Sequence, residues 1–438
     1  MGTSKLALLG GSPAVTPEVA LAATDFHARY PLMLEEEIEA VVSLMRQGAI
    51  SMDARQGVMG EFEDAFTAYH GCKFALACNS GTAALFCAYM AAGAAPGVEI
   101  LTTPFTWVTT VTAIAACGAI PTFADIDRKT FNITAETIEP CLTPYTKAIC
   151  VVHVFGHSAD MDPIMELARK RNLIVVEDCS HAHGATYKGR KVGTIGHMGA
   201  FSLQGSKNMT AGEGGVLMTD EEDLYQRAML AGHHPARLLA SLTNPDYRVF
   251  ADSGFGYKFR ATPFACAIAL QQLKRLDGWN ANRQANAALM TELLAGVPGI
   301  RPCYVAPECT HGLHVYGLTY APEELEGLPR DTYVKALNAE GVPVSTIYNQ
   351  PIYMMGTFQQ RTLLNWSPWS DPRVKREVRY AKGDCPVCEE RCWHTGLSMM
   401  WNWAVEPVPD LIKMYADAFR KVADNCRALM GYERGAVE

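Results

Sequence analysis

Charge is scarce in this chain. Only 19% of its 438 residues are Asp, Glu, Lys or Arg, and the net charge is −8. No lysine or arginine run and no basic stripe occurs, so nucleic acid is not an expected partner. Long apolar runs are missing too. None reaches the roughly 20 residues that a membrane-spanning helix needs. The first residues lack a basic start followed by an apolar stretch, so a secretory signal is not expected. Leu6 stands where N-myristoylation takes Ser or Thr. There is no repeat period or low-complexity block. The G-x-G-x-x-G dinucleotide fingerprint and the P-loop are both missing at the strand–helix junctions.

What is present is a composition able to bury a large core, with 49% apolar residues. The 14 cysteines are scattered through apolar segments. In a chain of this length they read as buried thiols of a reducing compartment, and the expected location is cytoplasmic.

From about residue 60 to 270, short apolar strands alternate with helical stretches. Strands are expected at 74–79, 99–103, 120–124, 148–154, 173–177, 199–203 and 215–218. Helices are expected at 81–93, 106–117 and 161–170. Strands that are apolar throughout are buried on both faces. Their alternation with helices implies a mostly parallel, doubly covered α/β sheet. Such sheets bind ligands beyond the carboxyl ends of their strands. Residues 1–60 read as an N-terminal arm with one helix near 34–46, and 61–284 as the large domain. Residues 285–438 read as a smaller α+β domain, from the stretch 312–320, a helix at 332–340 and a tail helix at 409–429. The stretch 350–384 has little periodicity and reads as a covering loop.

Four motifs fall at the strand ends. Asn79-Ser80-Gly81-Thr82 links a strand to a helix. Small residues there let the backbone close on an anion, and the helix start offers free N–H groups; an ordinary Ser cap is the plainer reading. Glu177-Asp178 ends another strand. That carboxylate suits a metal ligand, a cap, or the partner of a pyridine nitrogen. Lys207 follows the strand containing Ser202. Most loop lysines are solvated, but one with a lowered pKa can attack a carbonyl and form an imine. Gly212-Glu213-Gly214-Gly215 then makes a tight turn. The order of cradle, acid, lysine and glycine turn matches the parts of a pyridoxal phosphate site: phosphate anchor, ring-nitrogen partner and imine lysine.

These residues resemble the sugar-aminotransferase group called DegT/DnrJ/StrS. The resemblance runs through Asn79–Leu85, Pro104-Phe-Thr-Trp107, Val152–Gly156, Glu177–Ala185, Ser202 with Lys207, Gly212–Gly215 and Gly256–Arg260. It extends to Leu8–Pro13, Gln271–Leu273 and Cys385–Val387. It implies the aspartate-aminotransferase fold (type I), with a mostly parallel seven-stranded sheet and a smaller α+β C-terminal domain. It also implies pyridoxal 5'-phosphate held by Lys207 as a Schiff base. Asp178 would face the pyridine nitrogen, and Gly81, Thr82 and Ser202 the phosphate. Trp107 would stack on the ring, and His181 would lie against the cofactor. Core packing is the plainer reading of Trp107. Lys258 stands where the group usually carries an Asn that reaches the neighbouring subunit's phosphate. A homodimer with shared sites is therefore implied.

The segment Gly341–Tyr353, with Gln204 and Met209–Gly212, is closer to the aminocyclitol branch of the group. That branch implies an amino donor such as glutamine or glutamate and a cyclic polyhydroxy ketone as acceptor, in secondary metabolism. Tyr348, Asn349 and His314 are candidates for its hydroxyls, though each also suits a surface loop. A nucleotide keto-sugar acceptor, an aromatising dehydration of the 3-amino-5-hydroxybenzoate synthase kind, and a non-catalytic cofactor-binding regulator are the alternatives. Deoxysugar dehydratases of this fold replace the lysine by histidine, and Lys207 argues against them. Cys385, Cys388, Cys392 and His394 crowd into ten residues. Structural zinc sites draw their ligands from two separated pairs, so no metal is expected.

Overall fold

The structure is a computed structural model. It describes residues 5–346, 348–362 and 365–435. Ile347, inside the segment read as nearest to the aminocyclitol branch, lies outside the described residues.

Seven strands form one sheet: β1 Phe74–Cys78, β2 Glu99–Thr102, β3 Ile120–Phe123, β4 Thr146–Val152, β5 Ile174–Asp178, β6 Met198–Ser202 and β7 Gly215–Thr219. Their order across the sheet is β1-β7-β6-β5-β4-β2-β3. Only β7 runs against its neighbours, pairing antiparallel with both β1 and β6. The other pairings are parallel. Side-chain alternation divides each strand between two cores. Ala75, Leu101, Ile149, Val175 and Phe201 pack on one face with Phe62, Phe66 and Ala269. Leu76, Ile100, Cys150, Val176 and Ala200 pack on the other with Leu85, Ala88 and Met229. Helix α1, Gly81–Ala91, is buried nearly all round. That is why it reads as apolar on every face rather than on one stripe.

A third core joins a small three-stranded sheet of Ile300–Arg301, Val315–Tyr320 and Gly396–Met400 to helices Arg330–Ala339 and Pro409–Asp424. Leu6, Val15, Ala20 and Phe26 of the N-terminal arm pack into this same core. The arm holds short helices at Pro17–Ala23 and Asp25–Arg29 besides Glu35–Arg46, and Gly57 already opens the next helix.

The expected boundary between 284 and 285 falls inside one helix, α2, Pro263–Leu294. It starts on Thr262, whose side chain accepts from Ala265 N, with Pro263 at the first position. Its 32 residues span about 48 Å and contribute to both units. The expected tail helix is broken at Asn425 into Pro409–Asp424 and Cys426–Gly435. The covering stretch packs Ile352 and Phe358 on Val111, and Tyr380 donates to Pro121 O at 2.7 Å. It covers the β3 edge of the sheet.

Candidate active site

One cavity of about 490 Å³ opens at the carboxyl ends of the strands. Gly81, Thr82, Trp107, Asp178, His181, Ser202, Lys207, His314 and Tyr348 all line it. Residues expected from four separate motifs therefore meet around a single space. Asn349 does not line it; it is exposed and accepts from Thr346 Oγ1 at 2.8 Å. Lys258 does not line it either. It is exposed, and its carbonyl accepts from Asn79 Nδ2 at 3.3 Å, which places it on the rim beside the cradle.

The cradle is built by backbone proximity. Ser80 caps α1 by accepting from Ala83 N at 3.1 Å, leaving the first N–H groups of the helix aimed at the cavity. A Cβ on Gly81 would lie 2.6 Å from Ser202 Cβ, and one on Gly215 would lie 2.3 Å from Ser80 O. Both glycines are thus required for β1, β6 and β7 to converge here. Helix N–H groups, a serine hydroxyl and a favourable dipole suit a phosphate.

Asp178 ends β5 and is buried. Its Oδ2 accepts from Thr110 Oγ1 at 2.8 Å, and its Oδ1 from Ser180 N at 3.1 Å. Each carboxylate oxygen retains a free lone pair, which suits an N–H⁺ of a heteroaromatic ring. Lys207 lies in the turn after β6. Among the described residues its Nζ has no hydrogen-bond or salt-bridge partner. Burial lowers its pKa to about 8, against an opposing pull from Asp178. At that value about a tenth of the amine is unprotonated at pH 7, far more than for an ordinary lysine, and able to attack a carbonyl. Trp107 is 61% exposed, so it is not a core residue. It precedes helix Val108–Ala116 as its cap residue rather than lying within it.

His181 and His314 face each other with ring centroids 4.4 Å apart, and each has an unpartnered Nδ1. Burial holds both far below the usual imidazole pKa, so both are neutral. Tyr348 packs edge-on against Phe105 at 4.9 Å. Burial raises its pKa, so it presents a neutral hydroxyl.

Sequence reasoning missed Thr110, Ser180, Ser206 and Met400, which also line the cavity. Thr106, just before the helix, and Thr109 and Thr110 in its first turn are polar residues in a largely apolar stretch, a signal that was available. Met400 carried none.

Among the described residues, one group has donors close enough for a metal: His153, Glu177 and Cys179. Its ligand atoms are already engaged. His153 Nδ1 accepts from Ala159 N at 3.1 Å, so its Nε2 carries the hydrogen that Glu177 accepts at 2.9 Å. Glu177 also accepts from the backbone of Gly193, Ile195 and Gly196. The Cys385–His394 cluster places Cys388 and Cys392 Sγ 4.0 Å apart in the core. Burial raises the Cys388 thiol well above its ordinary pKa, the opposite of a thiolate ligand.

A protein of Micromonospora echinospora assigned as an L-glutamine:3-amino-2,3-dideoxy-scyllo-inosose aminotransferase is 34% identical, over 98% of this chain and 99% of its own length. The GDP-perosamine synthase of Caulobacter vibrioides is 38% identical, over 67% and 77%. The crystal structure of an aminotransferase from Psychrobacter cryohalolentis superposes with a TM-score of 0.77 at 31% identity, covering 91% of this chain and 99% of that one. The profile of the DegT/DnrJ/EryC1/StrS aminotransferase family matches residues 31–378. The chain belongs to the DegT/DnrJ/EryC1/StrS aminotransferase family and is a pyridoxal-phosphate-dependent enzyme of fold type I.

Proposed function

We propose that this enzyme moves an amino group from glutamine or glutamate to a cyclic polyhydroxy ketone, a keto-cyclitol, in secondary metabolism. The observation that carries the site assignment is the unpartnered, half-buried Lys207 amine, in one cavity with Asp178 and the Gly81–Ser202 cradle. The acceptor class is supported by the relative from Micromonospora echinospora, matched over nearly its whole length.

In this reading Gly81 and Thr82 N–H groups and the Ser202 hydroxyl hold the phosphate. Trp107 and His181, both on the cavity wall, would hold the ring between them, with His181 kept neutral by burial. The Asp178 carboxylate, steadied by Thr110, keeps a proton on the ring nitrogen. Bound pyridoxal phosphate supplies the electron sink for the carbon that loses its proton. Lys207 Nζ would be the base that takes the proton from the amino donor's α-carbon, and, once protonated, the acid that gives it back in each half-reaction. The two half-reactions share one cavity, so ping-pong kinetics follow. Tyr348 and His314 present neutral hydrogen-bonding groups to the acceptor's hydroxyls.

Lys258 serves the phosphate of a second copy across a homodimer. Its exposure and its place beside Asn79 support this, as a point charge in place of the group's Asn. The large unit at 61–284 and the small one at 285–438 share α2 as their spine, with 1–60 as the arm. Among the described residues no helix is long and apolar enough to cross a membrane. Fourteen free cysteines support a cytoplasmic location.

A nucleotide keto-sugar is the second reading, supported by the similarity to GDP-perosamine synthase. The test is a panel of keto-cyclitols and nucleotide keto-sugars with glutamine, glutamate and alanine as donors, product amines being read by mass spectrometry. Transfer from glutamine to a keto-cyclitol is expected. Turnover of nucleotide sugars alone would overturn the cyclitol assignment.

A further inference from the structure

The loop that carries Lys207, residues 203–210, has no helix or strand of its own. Three consecutive carbonyls in it nevertheless each accept a hydrogen bond from a side chain far away in the sequence. Ser206 O accepts from Asn402 Nδ2 at 2.7 Å. Lys207 O accepts from Tyr30 Oη at 2.6 Å. Asn208 O accepts from Arg283 Nη2 at 3.2 Å. The donors come from the end of the small sheet, the N-terminal arm and the middle of α2.

Arg283 is completely buried. Among the described residues it has no carboxylate within salt-bridge distance. Its guanidinium donates to Asn402 O through Nε at 3.0 Å and Nη2 at 2.9 Å, and to Asn280 Oδ1 at 2.8 Å. Burial lowers its pKa to about 10. Burying a cation without a counter-ion is costly, and an apolar side chain of similar volume would fill the space at less cost. An apolar residue cannot hold carbonyls, and the retained guanidinium does so for both the lysine loop and Asn402. Burial raises the Tyr30 phenol's pKa, with the Arg283 cation opposing, so the hydroxyl remains a donor.

We propose that Tyr30, Arg283 and Asn402 are positioning residues that clamp the backbone of Lys207, so that only its side chain moves during the transfer cycle. This rests on the reading of Lys207 given above. The amine must release one partner, take a proton and return it within a fraction of an ångström, and backbone drift would misplace it at every step. Because the three donors lie on three separate segments, Lys207 is seated only when arm, helix and small sheet are all docked.

Two variants test the clamp. Tyr30→Phe removes one hydroxyl and keeps the ring. Asn402→Ala removes the donor to Ser206 O and keeps the carbonyl that Arg283 uses. In cofactor-free protein, hydrogen exchange of the amides at 205–209 should accelerate about tenfold in each, with the rest of the sheet unchanged. In the loaded enzyme, kcat should fall roughly tenfold while the donor KM stays within about twofold. In a Lys207→Ala background rescued by a small added amine, Tyr30→Phe should leave the rescued rate unchanged, because a free amine does not depend on the loop. Wild-type exchange and kcat in both variants would overturn the clamp. So would an equal loss in the rescued background. If Lys207→Ala alone kept full activity, the reading of Lys207 itself would fall instead.

Discussion

Gly81→Ala is the sharpest perturbation of the cradle. The new methyl would sit 2.6 Å from Ser202 Cβ and 2.9 Å from Ser202 Cα. The second contact is with backbone, so no rotamer change relieves it. Either β6 or the start of α1 must move, and overpacking of this kind costs about 1–3 kcal/mol. Alanine's helix preference returns at most about 1 kcal/mol, and less at the first helical position. Relief by moving the helix start away from Ser202 separates the N–H groups from the hydroxyl that share the phosphate. About 1.4 kcal/mol of lost binding is a tenfold weaker Kd, so cofactor affinity should fall roughly tenfold to hundredfold. Gly278→Ala in α2 is the control. A Cβ there meets nothing within 4 Å, so helix propensity alone should stabilise the protein by up to about 1 kcal/mol. The assay is cofactor titration by absorbance together with the thermal midpoint of the cofactor-free protein. A Gly81→Ala protein with wild-type Kd and a raised midpoint, like Gly278→Ala, would refute the cradle argument.

Three further outcomes follow from the same geometry. Because burial lowers Lys207 to about pKa 8, its modification by an acylating reagent should rise through about pH 8, well below the ordinary lysine range. The stability of the cofactor-free protein should rise as pH climbs from there toward the unfolded-state lysine pKa, since the penalty for a buried cation is relieved in that window; a flat profile for both would contradict the lowered pKa. Thr110→Val leaves Asp178 Oδ2 without its donor and should lower kcat several-fold to about tenfold with the cofactor still bound, whereas an unchanged kcat would show that Thr110 does not steady the carboxylate. Burial pushes the Glu177 carboxyl up, but His153, Gly193 and Gly196 outweigh it and hold the pKa below the ordinary value. Its stabilisation is therefore present above the unfolded-state pKa and lost as pH falls through the folded value, and Glu177→Gln should cost about 1.5–3 kcal/mol at neutral pH in denaturant titration.

The strands and the motif residues could be read from the sequence for a physical reason. Each large-sheet strand is apolar on both faces because two cores sandwich it, so Val175 and Val176 are equally buried. Strand ends then marked Asp178, Ser202 and the Gly81 turn, and the fold brought them together. Elements defined by long-range packing were less visible. The 284/285 boundary came from a change of composition, but α2 runs through it without a proline or a capping break. Lys258 and Asn349 had the right neighbours in sequence and lie outside the cavity. Tyr30, Arg283 and Asn402 act on Lys207 and its neighbours through hydrogen bonds to backbone carbonyls. A carbonyl carries no sequence signature, and the nearest of these donors is 75 residues away. Trp107 shows the converse, because its exposure settles what composition left open between core packing and the cavity.

The proposed function turns on Lys207 as the amine that binds the cofactor. Borohydride reduction of the cofactor-loaded protein, followed by proteolysis and mass mapping, tests it directly. One pyridoxyl-modified peptide is expected, with the mass increment on Lys207, and its loss in Lys207→Ala. Stoichiometric modification of Lys258 or any other lysine, with Lys207 unmodified, would contradict it.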